Sequence, residues 1–307
     1  MNNITDFQLR ILLNAKCAEV AISGALFFAF VFFVLCFEAQ ETDTWPVRFR
    51  KLGTPFNASL IAIILSTFGA YLTQVVLLSN QFTAAEVAIG QTFTILFAST
   101  FEFASIQYAW KRGEIVVDQT IPKASLAMKL LIKISPFIFY FDVLLEFAQI
   151  YSNSPVLQMF AYVSEIIAPT VLVIFDSVLL YAFINFLRVL QRSVAISVDD
   201  SRLKIVSFYG IFANVTMFVA IIFASVGGSI FPNSWIFLYD GFSLEFDLII
   251  ALILLRQKLA LYWNKKNIIR QQEMNLERQL GKDTLLQVRK LRESDRKKNF
   301  KNETVLF

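Results

Sequence analysis

Long apolar stretches alternate with short polar segments along the whole chain. A helix needs roughly 20 apolar residues to cross about 30 Å of hydrocarbon. Seven stretches reach that length, over residues 18–37, 56–78, 84–110, 126–148, 157–187, 205–226 and 236–261. The fourth has the weakest pattern, because it contains Lys129, Lys133, Asp142 and Glu146. The sequence therefore predicts an all-α fold, a seven-transmembrane helix bundle.

The distribution of basic residues predicts how this bundle is oriented. All 28 Lys and Arg residues except Arg10 and Lys16 lie after the first, third, fifth and seventh stretches or at their ends, beginning with Arg48, Arg50 and Lys51. Loops rich in Lys and Arg stay in the cytoplasm. We therefore expect an extracellular segment over 1–17, a membrane domain over 18–263 and a basic, partly helical cytoplasmic tail over 264–307. The plasma membrane is the expected location.

The composition supports this fold class and excludes several kinds of site. The chain is 56% hydrophobic and only 17% charged, whereas soluble domains carry about 25% charged residues. It has no His, which is the usual ligand in membrane di-iron, zinc and haem sites. Cys17 and Cys36 lie about 28 Å apart along one helix, too far for a disulfide. We expect no metal, no cofactor and no enzymatic activity.

Polar residues inside the stretches recur at the spacing of one helix face. Offsets of three, four, seven and eleven residues place them on the same side of a helix. An ionisable group that faces lipid costs at least about 2.5–3.5 kcal/mol, so these faces should turn inward. They carry Gln91, Glu102, Asp142, Glu165, Asp176, Asn214 and Asp247. For the uncharged residues, hydrogen bonds between neighbouring helices are the simplest explanation.

The predicted orientation makes the outer half of the bundle acidic. Asp142, Glu165 and Asp247 lie in this half, and we expect no basic side chain to neutralise them. Such a group of carboxylates favours a cation, or carboxyl groups kept protonated by burial. We predict that these three residues and Gln91 bind a small ligand, cationic or amphiphilic.

The inner half contains charged residues of both signs. Glu102 and Lys133 are expected at similar depth, so we hypothesise a buried ion pair between them. Asp176 lies near the middle of the fifth stretch, with Asn214 as its nearest polar neighbour by depth. A buried charge at such a depth is a functional-site candidate.

The predicted cytoplasmic face is strongly basic. A signalling protein would contact the inner loop through Arg188, Arg192, Arg202 and Lys204. The tail is either a solvated helix that continues the seventh stretch or a basic segment that binds anionic lipid or a cytoplasmic partner. Nucleic acid is not an expected partner.

The layout resembles that of G-protein-coupled receptors over the whole chain. The resemblance is one of topology. The third stretch ends in Gln107-Tyr108-Ala109-Trp110-Lys111-Arg112 rather than an acidic–Arg–aromatic triplet, and the seventh has Phe242-Ser243-Leu244-Glu245-Phe246-Asp247 rather than Asn-Pro-x-x-Tyr. The resemblance implies a receptor in which ligand binding shifts the fifth and sixth helices and changes the cytoplasmic face.

Two other functions fit the same pattern. A cation or proton transporter would use Asp142, Glu165, Asp176 and Asp247 as steps on a polar path, and a scaffold would act through its tail. A retinal protein is not expected, because Lys258, the only Lys near the seventh stretch, is at the cytoplasmic end. Tyr239-Asp240 lacks the second motif of intramembrane aspartyl proteases.

Overall fold

A computed structural model describes residues 6–38, 45–79, 82–152, 154–192, 198–230 and 233–280, which form helices and short connections without a strand. The helices are α1 (Asp6–Phe33), a π-helix (Val34–Glu38), α2 (Trp45–Leu52), α3 (Pro55–Ser79), α4 (Ala84–Thr120), α5 (Pro122–Tyr151), α6 (Pro155–Arg192), α7 (Val198–Ile230) and α8 (Asn233–Leu280). The predicted all-α class is confirmed.

Five helical segments in the described part are long and apolar enough to cross a membrane. They are Leu9–Glu38, Pro55–Ser79, Ala85–Thr120, Thr170–Val189 and Ser201–Ala220. Their surfaces carry large exposed apolar side chains such as Phe28 and Phe32. Contact of these side chains with lipid is favourable, whereas contact with water is not. These segments indicate a multi-pass membrane protein.

Close approach of backbones and rings determines how the helices pack. The most extensive contacts are those of α1 with α3, α3 with α4, α4 with α5 and α6, α5 with α6, and α6 with α7. Phe183 of α6 is fully buried and lies between Gly113 of α4 and Gly210 of α7. A Cβ at Gly210 would come within 2.5 Å of the Phe183 ring, so only glycine admits the ring at this position.

Helices α4 and α5 form a hairpin in which Ile121 is the only residue outside both helices. Pro122 starts α5 at the first helical position, where its missing N–H costs no hydrogen bond. Lys129 Nζ lies 3.3 Å from Glu114 Oε1 and 3.6 Å from Asp118 Oδ1, which braces the two helices. Helix α4 therefore continues ten residues beyond the end predicted for the third span at residue 110, through the basic segment that follows.

Two predicted domain boundaries fall inside helices. Helix α1 begins at Asp6, so the predicted segment 1–17 includes the first turns of this helix. Helix α8 continues to Leu280, so position 264 lies inside a helix; the predicted tail beyond 280 is outside the described residues. The chain divides into two compact units, 1–258 and 259–307.

Candidate functional site

Helices α4 and α8 run in the same direction and bring polar residues together at two levels. Glu102 of α4 is an electrostatic neighbour of Asp247 of α8. Ten residues further along each helix, Arg112 of α4 hydrogen-bonds to Gln257 of α8. Ten residues correspond to about 15 Å along a helix. The described part of the bundle thus contains two polar centres separated by about three turns.

Three carboxylates form the first centre, which we call the carboxylate cluster: Glu102 of α4, Asp142 of α5 and Asp247 of α8. The charge of Glu102 interacts with those of both Asp142 and Asp247. The hydroxyl group of Ser164 on α6 faces the Asp142 carboxylate. Asp142 Oδ1 is buried, and no described residue hydrogen-bonds to it. Negative charges that interact in a bundle of low dielectric constant repel one another. The cluster therefore favours a cation or bound protons.

Helix α1 contributes a buried cation beside this cluster. Lys16 is only 2% exposed, and its Nζ lies 2.7 Å from Glu19 Oε2 and 5.0 Å from the centre of the Tyr71 ring. Tyr71 is an electrostatic neighbour of Asp247, and Glu19 is one of Glu245. The expectation that no basic side chain neutralises Asp142, Glu165 and Asp247 stays a prediction, because Lys16 pairs with Glu19.

Arg112 organises the second centre. Its side chain is 5% exposed and donates a hydrogen bond of 3.3 Å to Gln257 Oε1. The guanidinium carbon lies 5.4 Å from the centre of the Phe183 ring. Gln257 is fully buried and donates to the backbone carbonyl of Val206 on α7, at 3.4 Å. Arg112 and Gln257 thereby connect α4, α7 and α8.

Asp176 and Asn214 complete this centre, which we call the arginine core: Arg112, Asp176, Asn214 and Gln257. Asn214 Nδ2 donates to the backbone carbonyl of Asp176 at 3.2 Å, and the Asp176 carboxylate is an electrostatic neighbour of Arg112. A cavity of about 20 Å³ lies between these side chains and is also lined by Ser105. Ser105 Oγ and Arg112 Nε are buried without a hydrogen-bond partner among the described residues. A cavity of this size holds one water molecule.

The predicted ion pair between Glu102 and Lys133 is wrong. The hairpin turns at Ile121, so positions equally far from Ile121 face each other. Thr100 Oγ1 accordingly lies 3.1 Å from the hydroxyl oxygen of Tyr140. The charge of Glu102 interacts with that of Asp142, which lies about one turn from the position opposite Glu102. Lys133 is exposed further along α5.

The structure places Gln91, one of the other two predicted ligand-binding residues, away from the carboxylate cluster. Gln91 is exposed and lies three turns, about 16 Å, before Glu102 on α4, so it is not part of the carboxylate cluster. Glu165 lies on α6 next to Ser164, but its side chain is outside the described residues.

The basic residues predicted to bind a cytoplasmic partner lie at neighbouring ends of α6 and α7. Arg188, Arg202 and Lys204 are exposed. Arg192 is the last residue of α6, and its side chain is outside the described residues.

Sequence reasoning missed three residues of these centres, although their spacing contained the signal. Lys16 precedes Glu19 and Ser23 by three and seven residues, Arg112 follows Ser105 by seven, and Gln257 follows Asp247 by ten. Lys16 and Arg112 continue polar helix faces beyond the ends assigned from hydropathy, whereas Gln257 lies within the seventh stretch. The rule that basic residues mark loops hid Arg112 in particular.

The described residues contain no group of three His, Cys, Asp or Glu side chains close enough to hold a metal ion. No protein-family model, curated protein or solved structure matches this chain.

Proposed function

We propose that this protein is a seven-span, receptor-like protein of the plasma membrane. It senses a small cationic or amphiphilic ligand and signals to a cytoplasmic protein. The observation that carries the proposal is the pair of polar centres on shared helices: the carboxylate cluster receives the ligand, and the arginine core responds. The layout resembles that of G-protein-coupled receptors, without their signature motifs.

The proposal takes the seven long helices as the seven spans. Among the described residues, seven helices have 25 residues or more: α1, α3, α4, α5, α6, α7 and α8. The excess of Lys and Arg after α1, α4 and α6 supports a cytoplasmic location for those ends. The carboxylate cluster then faces the extracellular half and the arginine core the cytoplasmic half.

Continuous helices connect the two centres. A cation that neutralises Glu102, Asp142 and Asp247 removes their repulsion and lets α4, α5 and α8 approach. Because α4 and α8 each continue as one helix to Arg112 and Gln257, this movement reaches the arginine core. A ligand shifts the conformational equilibrium only by its difference in affinity for the two states. The signalling partner would bind at Arg188, Arg192, Arg202 and Lys204.

A cation or proton transporter is the second candidate. The favouring observation is the cavity beside Ser105, one turn from Glu102, which leads to Asp176. The cavity nevertheless has room for only about one water molecule, and most of its lining residues are apolar. The cavity is too short to form a polar path between the two centres, so the receptor is the better-supported function.

A thermal-unfolding screen of the full chain in detergent tests ligand binding. The probes are spermine, tetraethylammonium, Na⁺ and Ca²⁺, each with the wild type and with Asp247→Asn. A cation at 100 times its Kd stabilises a protein by about 2.7 kcal/mol, so a binding cation should raise the midpoint of the wild type clearly and that of Asp247→Asn much less. Asp118→Asn, at the other end of α4, is the matched control. Equal protection of all three proteins, or none, contradicts the proposal.

A flux measurement separates the two functions. Proteoliposomes loaded with a pH-sensitive dye, or with a dye that binds the cation under test, should show no proton or cation flux above protein-free vesicles if the protein is a receptor. Flux that Asp176→Asn abolishes would support the transporter instead. For the receptor, a fluorophore attached at Lys204→Cys should change its emission when a protecting cation is added. With Asp176→Asn in the same chain, the emission should no longer respond to the cation, or should stay at one of the two levels.

A further inference from the structure

Helix α2 is a short amphipathic helix whose side chains are all at least partly exposed. Trp45 and Phe49 are one turn apart, are 63% and 56% exposed, and have ring centres 6.1 Å apart. The other exposed or half-exposed side chains include three basic residues, and the helix contains no acidic residue. Adjacent aromatic rings beside basic groups are typical of helices that lie in a membrane interface.

Hydrogen bonds hold α2 at the level where two candidate spans end. Lys51 Nζ donates to the backbone carbonyl of Glu38 at 3.2 Å, and Arg48 Nη1 donates to that of Leu35 at 3.5 Å. The spans Leu9–Glu38 and Pro55–Ser79 therefore end and begin beside α2. A helix at the shared end of two spans lies at the depth of the lipid headgroups.

The charges around α2 suit an anionic headgroup. Arg48 lies 5.5 Å from the centre of the Trp45 ring, and Lys51 is bonded to the π-helix. Arg50 is exposed and has no hydrogen-bond or ion-pair partner among the described residues. The nearby carboxylate of Glu38 already pairs with Lys258 at 2.9 Å. Among the described residues, Arg50 is therefore the basic group of α2 that is available to a negatively charged group from outside the chain.

We infer that α2 is an interfacial anchor that binds anionic lipid. Trp45 and Phe49 insert among the acyl chains at the headgroup boundary, and Arg50 binds the lipid phosphate. This inference does not depend on the ligand or the signalling role of the bundle. It requires only that the spans on either side of α2 are in a bilayer.

The depth of α2 is measured on the full chain in nanodiscs that contain phosphatidylcholine and phosphatidylglycerol. Cys17 and Cys36, both exposed, are replaced by Ser, and a spin label is attached at Phe49→Cys. Collisions with oxygen should exceed collisions with a water-soluble nickel chelate at this position, and the reverse should hold for a label at Gln272→Cys, an exposed residue of α8. A label at position 49 that is as accessible to nickel as the label at 272 overturns the inference.

Lipid selectivity is measured by native mass spectrometry of the same chain with its two native cysteines replaced. From equimolar mixtures, the parent chain should retain phosphatidylglycerol in preference to phosphatidylcholine. Loss of one basic residue at an anionic surface lowers this preference about fivefold, so Arg50→Gln should do so. Lys133→Gln, which removes an exposed basic residue of α5, should leave the preference unchanged. An unchanged preference in Arg50→Gln, or an equal loss in Lys133→Gln, refutes the assignment of Arg50.

Discussion

Replacing Gln257 by Met tests whether the arginine core holds the bundle together. The two side chains have similar length, so the change removes polar atoms and leaves little empty space. Gln257 is fully buried, accepts a hydrogen bond from Arg112 and donates one to Val206. Hydrogen bonds between membrane helices average about 0.6 kcal/mol and reach about 1.7 kcal/mol. Gln257→Met should therefore lower the free energy of unfolding by about 1–3 kcal/mol.

A double-mutant cycle isolates the bond between Arg112 and Gln257. Unfolding in mixed micelles with increasing dodecyl sulfate, followed by tryptophan fluorescence, gives the free energies for Gln257→Met, Arg112→Met and the double variant. Residues in contact show interaction energies of about 0.5–3 kcal/mol. The double variant should thus lose less stability than the two single losses added together.

The matched control pairs Gln257→Met with Arg188→Met. Arg188 is exposed on α6, so its effect should add to that of Gln257→Met within about 0.5 kcal/mol. If the Arg112 cycle is as additive as the Arg188 cycle, Arg112 and Gln257 do not interact energetically and the arginine core is not a structural unit.

Three further substitutions have expected effects on stability. Gly210→Ala places a Cβ 2.5 Å from the Phe183 ring, so the same titration should show a loss of about 1–3 kcal/mol, partly recovered by Phe183→Leu. Lys16→Met leaves Glu19 as an unpaired buried charge, so it should cost about 3 kcal/mol or more, and Glu19→Gln in the same chain should restore part of it. Thr83→Ala removes the side-chain cap of α4. It should cost about 1 kcal/mol, and hydrogen exchange of the first α4 amides should accelerate.

Exposed positions provide the controls for these substitutions. A Cβ at Gly53 would meet only the backbone oxygen of Arg50, at 3.5 Å, so Gly53→Ala should change stability far less than Gly210→Ala. Lys133→Met, at an exposed position, should change stability far less than Lys16→Met does. Ser59→Ala, whose exposed hydroxyl bonds only to the preceding turn, should leave exchange at the start of α4 unchanged. If a control substitution has the same effect as its test substitution, the corresponding packing, ion-pair or capping argument is contradicted.

Hydropathy and helical spacing predicted the helices and most of their polar faces. The positions of Glu102, Asp142 and Asp247 on inward faces follow from offsets of three and four residues, because side chains at those offsets share one side of a helix. Spacing along a single helix cannot show which residues of neighbouring helices meet. That depends on where the chain turns, and the turn at Ile121 brings Glu102 within electrostatic reach of Asp142.

The ends of helices were the less predictable feature. Hydropathy falls where Lys111 and Arg112 begin, yet the helix continues because its next turns pack against α5, and Arg112 is buried there by Gln257. At the other end of the bundle, Lys16 is compatible with a buried helix because Glu19 neutralises it one turn away. In both places, contacts between helices outweigh the local composition.

The hairpin of α4 and α5 determines how a partner could recognise that end of the molecule. Helix α4 has 37 residues, about 55 Å in length, which exceeds the hydrocarbon thickness by about 25 Å. The excess length extends beyond the hydrocarbon as a rigid pair of helices, α4 and α5. A single-residue turn joins the two helices, and the ion pairs of Lys129 link them. A protein that binds there meets a preformed shape and loses little conformational entropy in ordering it. Recognition of this helix pair would consequently depend on surface complementarity. A peptide inserted at Ile121 would disrupt this recognition.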